Sequence, residues 1–219
     1  MFSVIFDMDG TLFDTQRIFI PAWDLVGEKY GIKDMGKHIP AVCGVNPKGS
    51  DDYLKKNFPT LDVAAFKSDV RTYVEKNMVV KFMAGAEEVL EFLKQNNIKT
   101  ALATGTSRKS TEHHLKEMGL SDYFDATVCG NEIKNGKPAP DIFLKAAELL
   151  GVNPENCFVF EDSLNGIKAG FNAGMKCIGV PDIVSFTDSD REMMFKEIES
   201  LDKAIPIFEK ILTESKDEN

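Results

Sequence analysis

The chain has 219 residues, 43% hydrophobic and 28% charged, the composition of a soluble globular protein with room for one large domain or a large one plus a small one. A net charge of −9 without any Lys/Arg-rich stripe argues against a nucleic-acid backbone as partner. No apolar run approaches the ~20 residues of a membrane span, and the beginning reads as a strand followed by Asp7 rather than a signal peptide. Cys43, Cys129, Cys157 and Cys177 lack CxxC spacing and are expected to be buried, reduced thiols in a cytoplasmic protein. His38, His113 and His114 lack zinc-ligand spacing and are expected at the surface.

Ser3-Val4-Ile5-Phe6 is too short for a helix and reads as a buried strand. It leads into Asp7-Met8-Asp9-Gly10-Thr11, two carboxylates beside a glycine that lets the backbone turn sharply. The spacing then becomes helical: Ile18, Ala22, Val26 and Tyr30 recur every fourth residue, with Pro21 kinking the helix or marking its start. An irregular piece from Lys33 to Lys48 carries Pro40, Gly44 and Pro47, with Gly49 directly after it. Ser50 caps a helix that stops at Pro59, and Asp62 caps another with Phe66, Val70, Tyr73 or Val74, and Met78 on its apolar face.

From Ala84 the rhythm changes to alternation. Helices at 87–96, 109–118, 139–150 and 164–173 precede apolar strands at 99–103, 126–129, 157–160 and 176–180. Such alternation predicts right-handed βαβ units and a parallel sheet covered on both faces. The strand at Ser3–Phe6 needs a sheet to join. The expectation is therefore an α/β protein with a Rossmann-like, three-layer α/β/α core (1–14 and 83–219) carrying an inserted all-helical cap (15–82). The charged end from Glu214 to Asn219 reads as solvated.

In a parallel sheet all strand C-termini face one edge, where ligands bind. That edge would gather Asp7 and Asp9, then Thr104-Gly105-Thr106, then Lys137 from the loop after Cys129, then Glu161-Asp162-Ser163. Phosphoryl transfer through an aspartyl phosphate suits this set. Repulsion between a carboxylate nucleophile and a phosphate is about 4 kcal/mol per charge pair at 4 Å and an effective dielectric near 20. Mg²⁺ reverses that sign and wants hard oxygen ligands, which Asp7 and Asp162 can supply with Glu161 nearby. Thr104, the amides around Gly105, Thr106 and the Lys137 ammonium suit the equatorial phosphoryl oxygens. Asp9 can protonate the leaving oxygen and later deprotonate a water. Taken singly, Thr104 would pass as a strand-end residue, Lys137 as a loop lysine and Glu161-Asp162-Ser163 as a helix N-terminus. Their joint occurrence at four strand ends is the stronger signal.

These residues resemble the four motifs of the haloacid dehalogenase superfamily of phosphotransferases. Gly136-Lys137-Pro138-Ala139-Pro140-Asp141 and Glu161-Asp162-Ser163-Leu164-Asn165-Gly166 are similar to the branch holding β-phosphoglucomutase and small sugar-phosphate phosphatases. The resemblance implies Asp7 as nucleophile, Asp9 as acid/base and metal ligand through its carbonyl, Thr104 and Lys137 as phosphate holders, and Mg²⁺ as cofactor. It permits a monomer. Asp9 separates the chain from metal-free dehalogenases. Phe19 stands where the mutase has a proton-moving histidine, and Lys48 where it has an arginine, a point charge in place of a fork. Both departures favour a phosphatase over a mutase.

The expected activity is a Mg²⁺-dependent phosphatase acting on a small phosphorylated metabolite, a sugar phosphate, with the cap closing over the core during turnover. Arg17, Phe19, Trp23 and Lys48 in the cap, and Arg108 beside the phosphate loop, are candidate substrate residues. Phe19 and Trp23 also fit cap core, and Lys48 a solvated surface. A hexose-phosphate mutase is the alternative. A phospho-accepting receiver-like domain fits poorly, since its acceptor follows the third strand and nothing interrupts its fold. An inactive binding protein fits poorly too, since no motif residue is missing.

Overall fold

A computed structural model describes residues 2–42, 47–77 and 79–217 of the chain. Met78, expected on an apolar helix face, and residues 43–46, with Cys43 and Gly44 of the irregular piece, lie outside the described residues. The chain divides into two compact units, Met1–Asp14 with Val80–Asn219, and Thr15–Val79. The boundary falls before residue 83 because the chain re-enters the first unit early. Asp14 N–H donates to the Lys81 carbonyl at 2.9 Å, Met83 N–H to the Leu12 carbonyl at 2.9 Å, and Phe13 bridges Phe82.

The first unit is built on six strands: β1 (Ser3–Phe6), β2 (Thr100–Thr104), β3 (Ala126–Cys129), β4 (Cys157–Glu161), β5 (Lys176–Gly179) and β6 (Lys196–Glu197). They are all parallel, in the order β3-β2-β1-β4-β5-β6. This doubly wound order reverses direction between β1 and β4, and the crevice at such a reversal is where ligands of open sheets bind. Every residue of β1, β2 and β4 is buried, as expected for a parallel sheet whose two faces are both covered.

The covering helices follow the periodicity read from the sequence. Among them α5 (Ala86–Gln95) buries Ala86, Val89, Leu90 and Leu93, and α7 (Asp141–Leu150) buries Ile142, Phe143, Ala146, Ala147 and Leu150. Two others, α6 (Arg108–Glu117) and α8 (Leu164–Asn172), start directly behind the ends of β2 and β4. Cys129, Cys157 and Cys177 are free and buried, as expected.

Beyond Val180, where the sequence pattern yields no element, the structure adds α9 (Asp188–Arg191), β6 and α10 (Ile205–Asp217). Strand β6 is only two residues long, with Lys196 exposed, too short to carry a period. The helix α10 includes the charged residues expected as a solvated end, through Asp217. It also delivers Phe208, fully buried, with its ring stacked 4.9 Å from Phe2 and edge-on to Phe158 at 5.2 Å.

The elements of the second unit are all helical among its described residues: α1 (Phe19–Lys29), a 3₁₀ turn (Met35–His38), α2 (Ile39–Val42), α3 (Pro47–Asn57) and α4 (Val63–Asn77). Pro21 falls in the first turn of α1, where its missing N–H costs nothing. Asp62 caps α4 by accepting from Ala65 N–H at 3.0 Å. Trp23 meets Phe66 edge-on at 5.3 Å, and Phe66, Val70 and Val74 are buried. His38 sits edge-on to Phe58 at 5.0 Å, with Nδ1 2.7 Å from the Tyr53 hydroxyl. It belongs to the packing of this unit rather than to open surface.

Candidate active site

The end of β1 runs into a tight loop. Gly10 has φ +84°, a conformation that side chains resist, and its N–H donates to the Phe13 carbonyl at 2.8 Å. The turn holds Asp7 and Asp9 beyond the sheet edge instead of letting the strand continue. Asp7 N–H still donates to the Phe160 carbonyl at 3.0 Å, so its side chain is fixed against β4, at the reversal point.

Lys137 reaches into that crevice. Its ammonium donates to Asp7 Oδ1 at 2.5 Å and Glu161 Oε1 at 2.5 Å, and lies 4.9 Å from the Phe143 ring centroid. Glu161 is fully buried and has both oxygens engaged. Its Oε2 accepts from the Ser163 N–H at 3.0 Å and the Ser163 hydroxyl at 2.9 Å. Ser163 in turn caps α8, accepting from Gly166 N–H at 3.1 Å. A Cβ on Gly166 would lie 1.8 Å from Glu161 Cδ, so that glycine makes room for the carboxylate. Asp162 accepts from the buried Thr11 hydroxyl at 3.2 Å.

Asp7, Glu161 and Asp162 each offer an oxygen within 4.8 Å of the others. Among the described residues no other group of His, Cys, Asp or Glu is gathered in this way. Three buried carboxylates face one ammonium, an imbalance that burial makes costly. Burial, outweighing the Lys137 charge, pushes Asp7 from 3.8 up to about 7, with Glu161 and Asp9 adding to the rise. Asp162 is raised for the same reason, with Glu161 and Asp7 as like-charged neighbours. Burial works against the Lys137 ammonium, yet Asp7 and Glu161 more than compensate and keep it protonated. An all-oxygen donor set with excess negative charge fits a hard divalent cation.

On the other side of the crevice the Thr104 hydroxyl donates to Asp9 Oδ2 at 3.3 Å and the Thr106 hydroxyl to the same oxygen at 2.6 Å. Thr106 N–H donates to Thr104 Oγ1 at 3.1 Å. Nothing lies within 4 Å of the position a Gly105 Cβ would take. The core residues singled out from the sequence are thus brought together, but both threonine hydroxyls turn to Asp9.

The remaining candidates lie elsewhere. Arg108 does not point into the crevice. Its guanidinium grips Glu132 at 2.7 and 2.9 Å and the Thr127 carbonyl at 2.7 Å, so a bidentate ion pair uses the fork that was expected to read substrate. Arg17, Phe19, Trp23 and Lys48 belong to the helical unit. Arg17 is exposed and Trp23 is buried in that unit's core. Lys48 is exposed and pairs with Asp52 at 2.6 Å. Phe19 and Trp23 border a cavity of about 410 Å³ within the unit, together with Gln16, Ile39, Val70 and Arg71. The sequence places Ser163 at the sheet edge and Thr11 and Gly166 in the motif runs, but it assigns none of the three a role of its own. The first two stand inside motif runs as hydroxyls next to acids, which is a usable signal.

Comparison with known proteins identifies the family. The family model of haloacid dehalogenase-like hydrolases matches residues 4–180. A phosphorylated carbohydrates phosphatase of Thermotoga maritima is 39% identical over 186 residues, 81% of this chain and 84% of that protein. The fructose-1-phosphate phosphatase YqaB of Escherichia coli is 34% identical over 186 residues, 81% of this chain and 95% of that protein. The crystal structure of β-phosphoglucomutase from Clostridium difficile superimposes with a TM-score of 0.73 at 27% identity, covering 93% of this chain and 92% of that one. The match spans both segments of the sheet-bearing unit and the helices between them, and the chain belongs to the haloacid dehalogenase-like hydrolases.

Proposed function

We propose that this chain is a Mg²⁺-dependent phosphatase that hydrolyses a small phosphorylated metabolite, a sugar phosphate, through an aspartyl phosphate on Asp7. The observation that carries the reading is the pairing of Asp7 with Lys137 at 2.5 Å, at the sheet reversal and across from an Asp9 held by two hydroxyls. The relatives named as phosphatases of phosphorylated carbohydrates and of fructose 1-phosphate support the substrate class.

In this reading an Asp7 oxygen attacks the phosphorus, and the bond to the sugar oxygen breaks. Asp9 gives that oxygen its proton. A water then attacks the same phosphorus while Asp9 takes its proton, and the bond to Asp7 breaks, releasing phosphate and restoring both carboxyl groups. Lys137 and the amides of the Thr104–Thr106 loop neutralise charge on the transferring group. Glu161 holds the Lys137 ammonium in place. Asp7, the Asp9 carbonyl and Asp162 would hold Mg²⁺, with Glu161 adjacent; when bound it offsets the repulsion between carboxylate and phosphate.

Phe19 favours hydrolysis over mutase chemistry, because a phenyl ring moves no proton. The similarity to β-phosphoglucomutase supports the mutase as the second reading. A panel of sugar phosphates and nucleotides with Mg²⁺ separates them, including β-glucose 1-phosphate with a trace of the 1,6-bisphosphate. Free phosphate, abolished by EDTA, is the expected result. Glucose 6-phosphate without free phosphate would replace the phosphatase by the mutase.

A further inference from the structure

The loop that follows β3 meets the loop that follows β2 at one point with no side chain between them. Thr104 is in register with Cys129 across the two strands, so the next residues, Gly105 and Gly130, lie side by side where the sheet ends. A Cβ on Gly130 would come within 2.2 Å of the Gly105 carbonyl oxygen, 2.7 Å of its carbon and 3.0 Å of its Cα. These are backbone atoms, which cannot swing aside as the end of a long side chain can. Gly130 is not among the glycines with positive φ. Its own backbone would therefore accept alanine, and the close approach alone requires glycine there.

Three consecutive residues then tie the two loops together. Gly130 N–H donates to the Thr106 carbonyl at 3.0 Å. Asn131 Oδ1 accepts from the Arg108 N–H at 2.9 Å, at the first turn of α6. The Glu132 carboxylate holds the Arg108 side chain and also accepts from Cys129 N–H at 3.0 Å. The segment 130–132 thus grips the chain on both sides of Ser107. On its far side the gripped loop presents the Thr106 hydroxyl to Asp9 Oδ2 at 2.6 Å.

We propose that the segment Gly130–Asn131–Glu132 is a buttress that sets the position of the phosphate-binding loop Thr104–Thr106 relative to Asp9, with Gly130 its critical positioning residue and the Arg108–Glu132 pair its clamp. The inference rests on the phosphatase reading. It assigns roles to Gly130, Asn131 and Glu132, none of which touches the reacting atoms, and it gives Arg108 a positioning role in place of substrate reading. A methyl at residue 130 would push the Gly105 carbonyl and its attached amides toward the open crevice. The carboxylates on β1 and β4 would stay where they are.

The test compares two affinities in the full-length chain. Mg²⁺ binding is read from the thermal shift it produces alone, and inorganic phosphate binding from the further shift at saturating Mg²⁺. Gly130→Ala is expected to weaken phosphate binding roughly tenfold or more, since displacements near 1 Å at such sites cost up to about a hundredfold in rate. Its Mg²⁺ affinity should stay within about twofold of wild type. Glu132→Ala, which frees Arg108, should change phosphate affinity in the same direction by about threefold. With the best substrate of the panel, KM should rise more than kcat falls in both variants.

A folded Gly130→Ala protein with wild-type phosphate affinity would overturn the proposal. So would an equal loss of phosphate and Mg²⁺ affinity, which marks general damage. If Gly130→Ala does not fold, Glu132→Ala decides on the same ratio, and an unchanged phosphate affinity there overturns the proposal. A wild-type chain that neither binds nor releases phosphate would instead fail the phosphatase reading, and the buttress role with it.

Discussion

The two halves of the sheet edge solve different physical problems. Between β1 and β4 the site is built from buried charge: Asp7, Glu161 and Asp162 around Lys137, with side chains between 1% and 13% exposed in the Lys137 ion pairs. Between β2 and β3 the groups turned toward Asp9 are neutral hydroxyls, backed by two glycines in backbone contact, with the Arg108–Glu132 pair set behind them. The charged half carries excess negative charge, an imbalance that a bound cation would offset. The neutral half carries no such imbalance, and its accuracy depends on close packing. Loss of one group should therefore act through electrostatics on one side and through geometry on the other.

The largest expected effect is on the charged side. Asp7→Asn should abolish turnover, because an amide cannot form the acyl phosphate, and phosphate-release assays would detect residual activity. Lys137→Ala should slow turnover on the order of 10²-fold and raise KM, the scale of losing one preorganised donor. An unchanged rate would remove Lys137 from the site.

A pH experiment sharpens the contrast. The folded state pushes Asp7 from 3.8 up to about 7, so it binds that proton more tightly than the unfolded chain does. The corresponding stability is present below pH ~4 and is lost as pH rises toward 7. In EDTA, Asp7→Asn should therefore be more stable than wild type at pH 7.5 by about 2 kcal/mol, and the difference should shrink toward pH 4. Denaturant melts at the two pH values, with and without Mg²⁺, provide the check. Mg²⁺ should stabilise wild type far more than the variant.

On the neutral side the effects are smaller. Thr106→Val removes the shorter of the two hydroxyl contacts to Asp9 and should lower kcat by about tenfold with little change in Mg²⁺ affinity. A drop in Mg²⁺ affinity as large as that in kcat would erase the distinction between the halves. The smallest effect should come from Lys48→Ala, since its pairing with Asp52 is exposed and such pairs contribute little. Its melting temperature should match wild type.

Much of this was legible in the sequence because parallel sheets turn chain order into spatial order. Apolar strands expected at 3–6, 99–103 and 157–160 announced the sheet, and the acids and hydroxyls at their ends pointed to the candidate site. The elements that escaped lack a local pattern. Strand β6 is two residues long, and α10 earns its place through Phe208, whose partners Phe2 and Phe158 are remote in sequence. The pairing of Arg108 was not legible because its partner Glu132 lies 24 residues away, and only the β2–β3 register brings the two together. Gly130 is equally silent: nothing around it in sequence signals that its Cα faces another backbone. Trp23 carried the same helical spacing whether it served core or ligand, and it packs on Phe66.

The most direct test of the central claim is to quench the enzyme with acid during turnover of its best sugar phosphate and map the chain by mass spectrometry. The account predicts one added phosphoryl group on the peptide containing Asp7, absent in Asp7→Asn and lost on exposure to mild base. Rapid turnover with no phosphoryl group at Asp7, or with one on another residue, would contradict it.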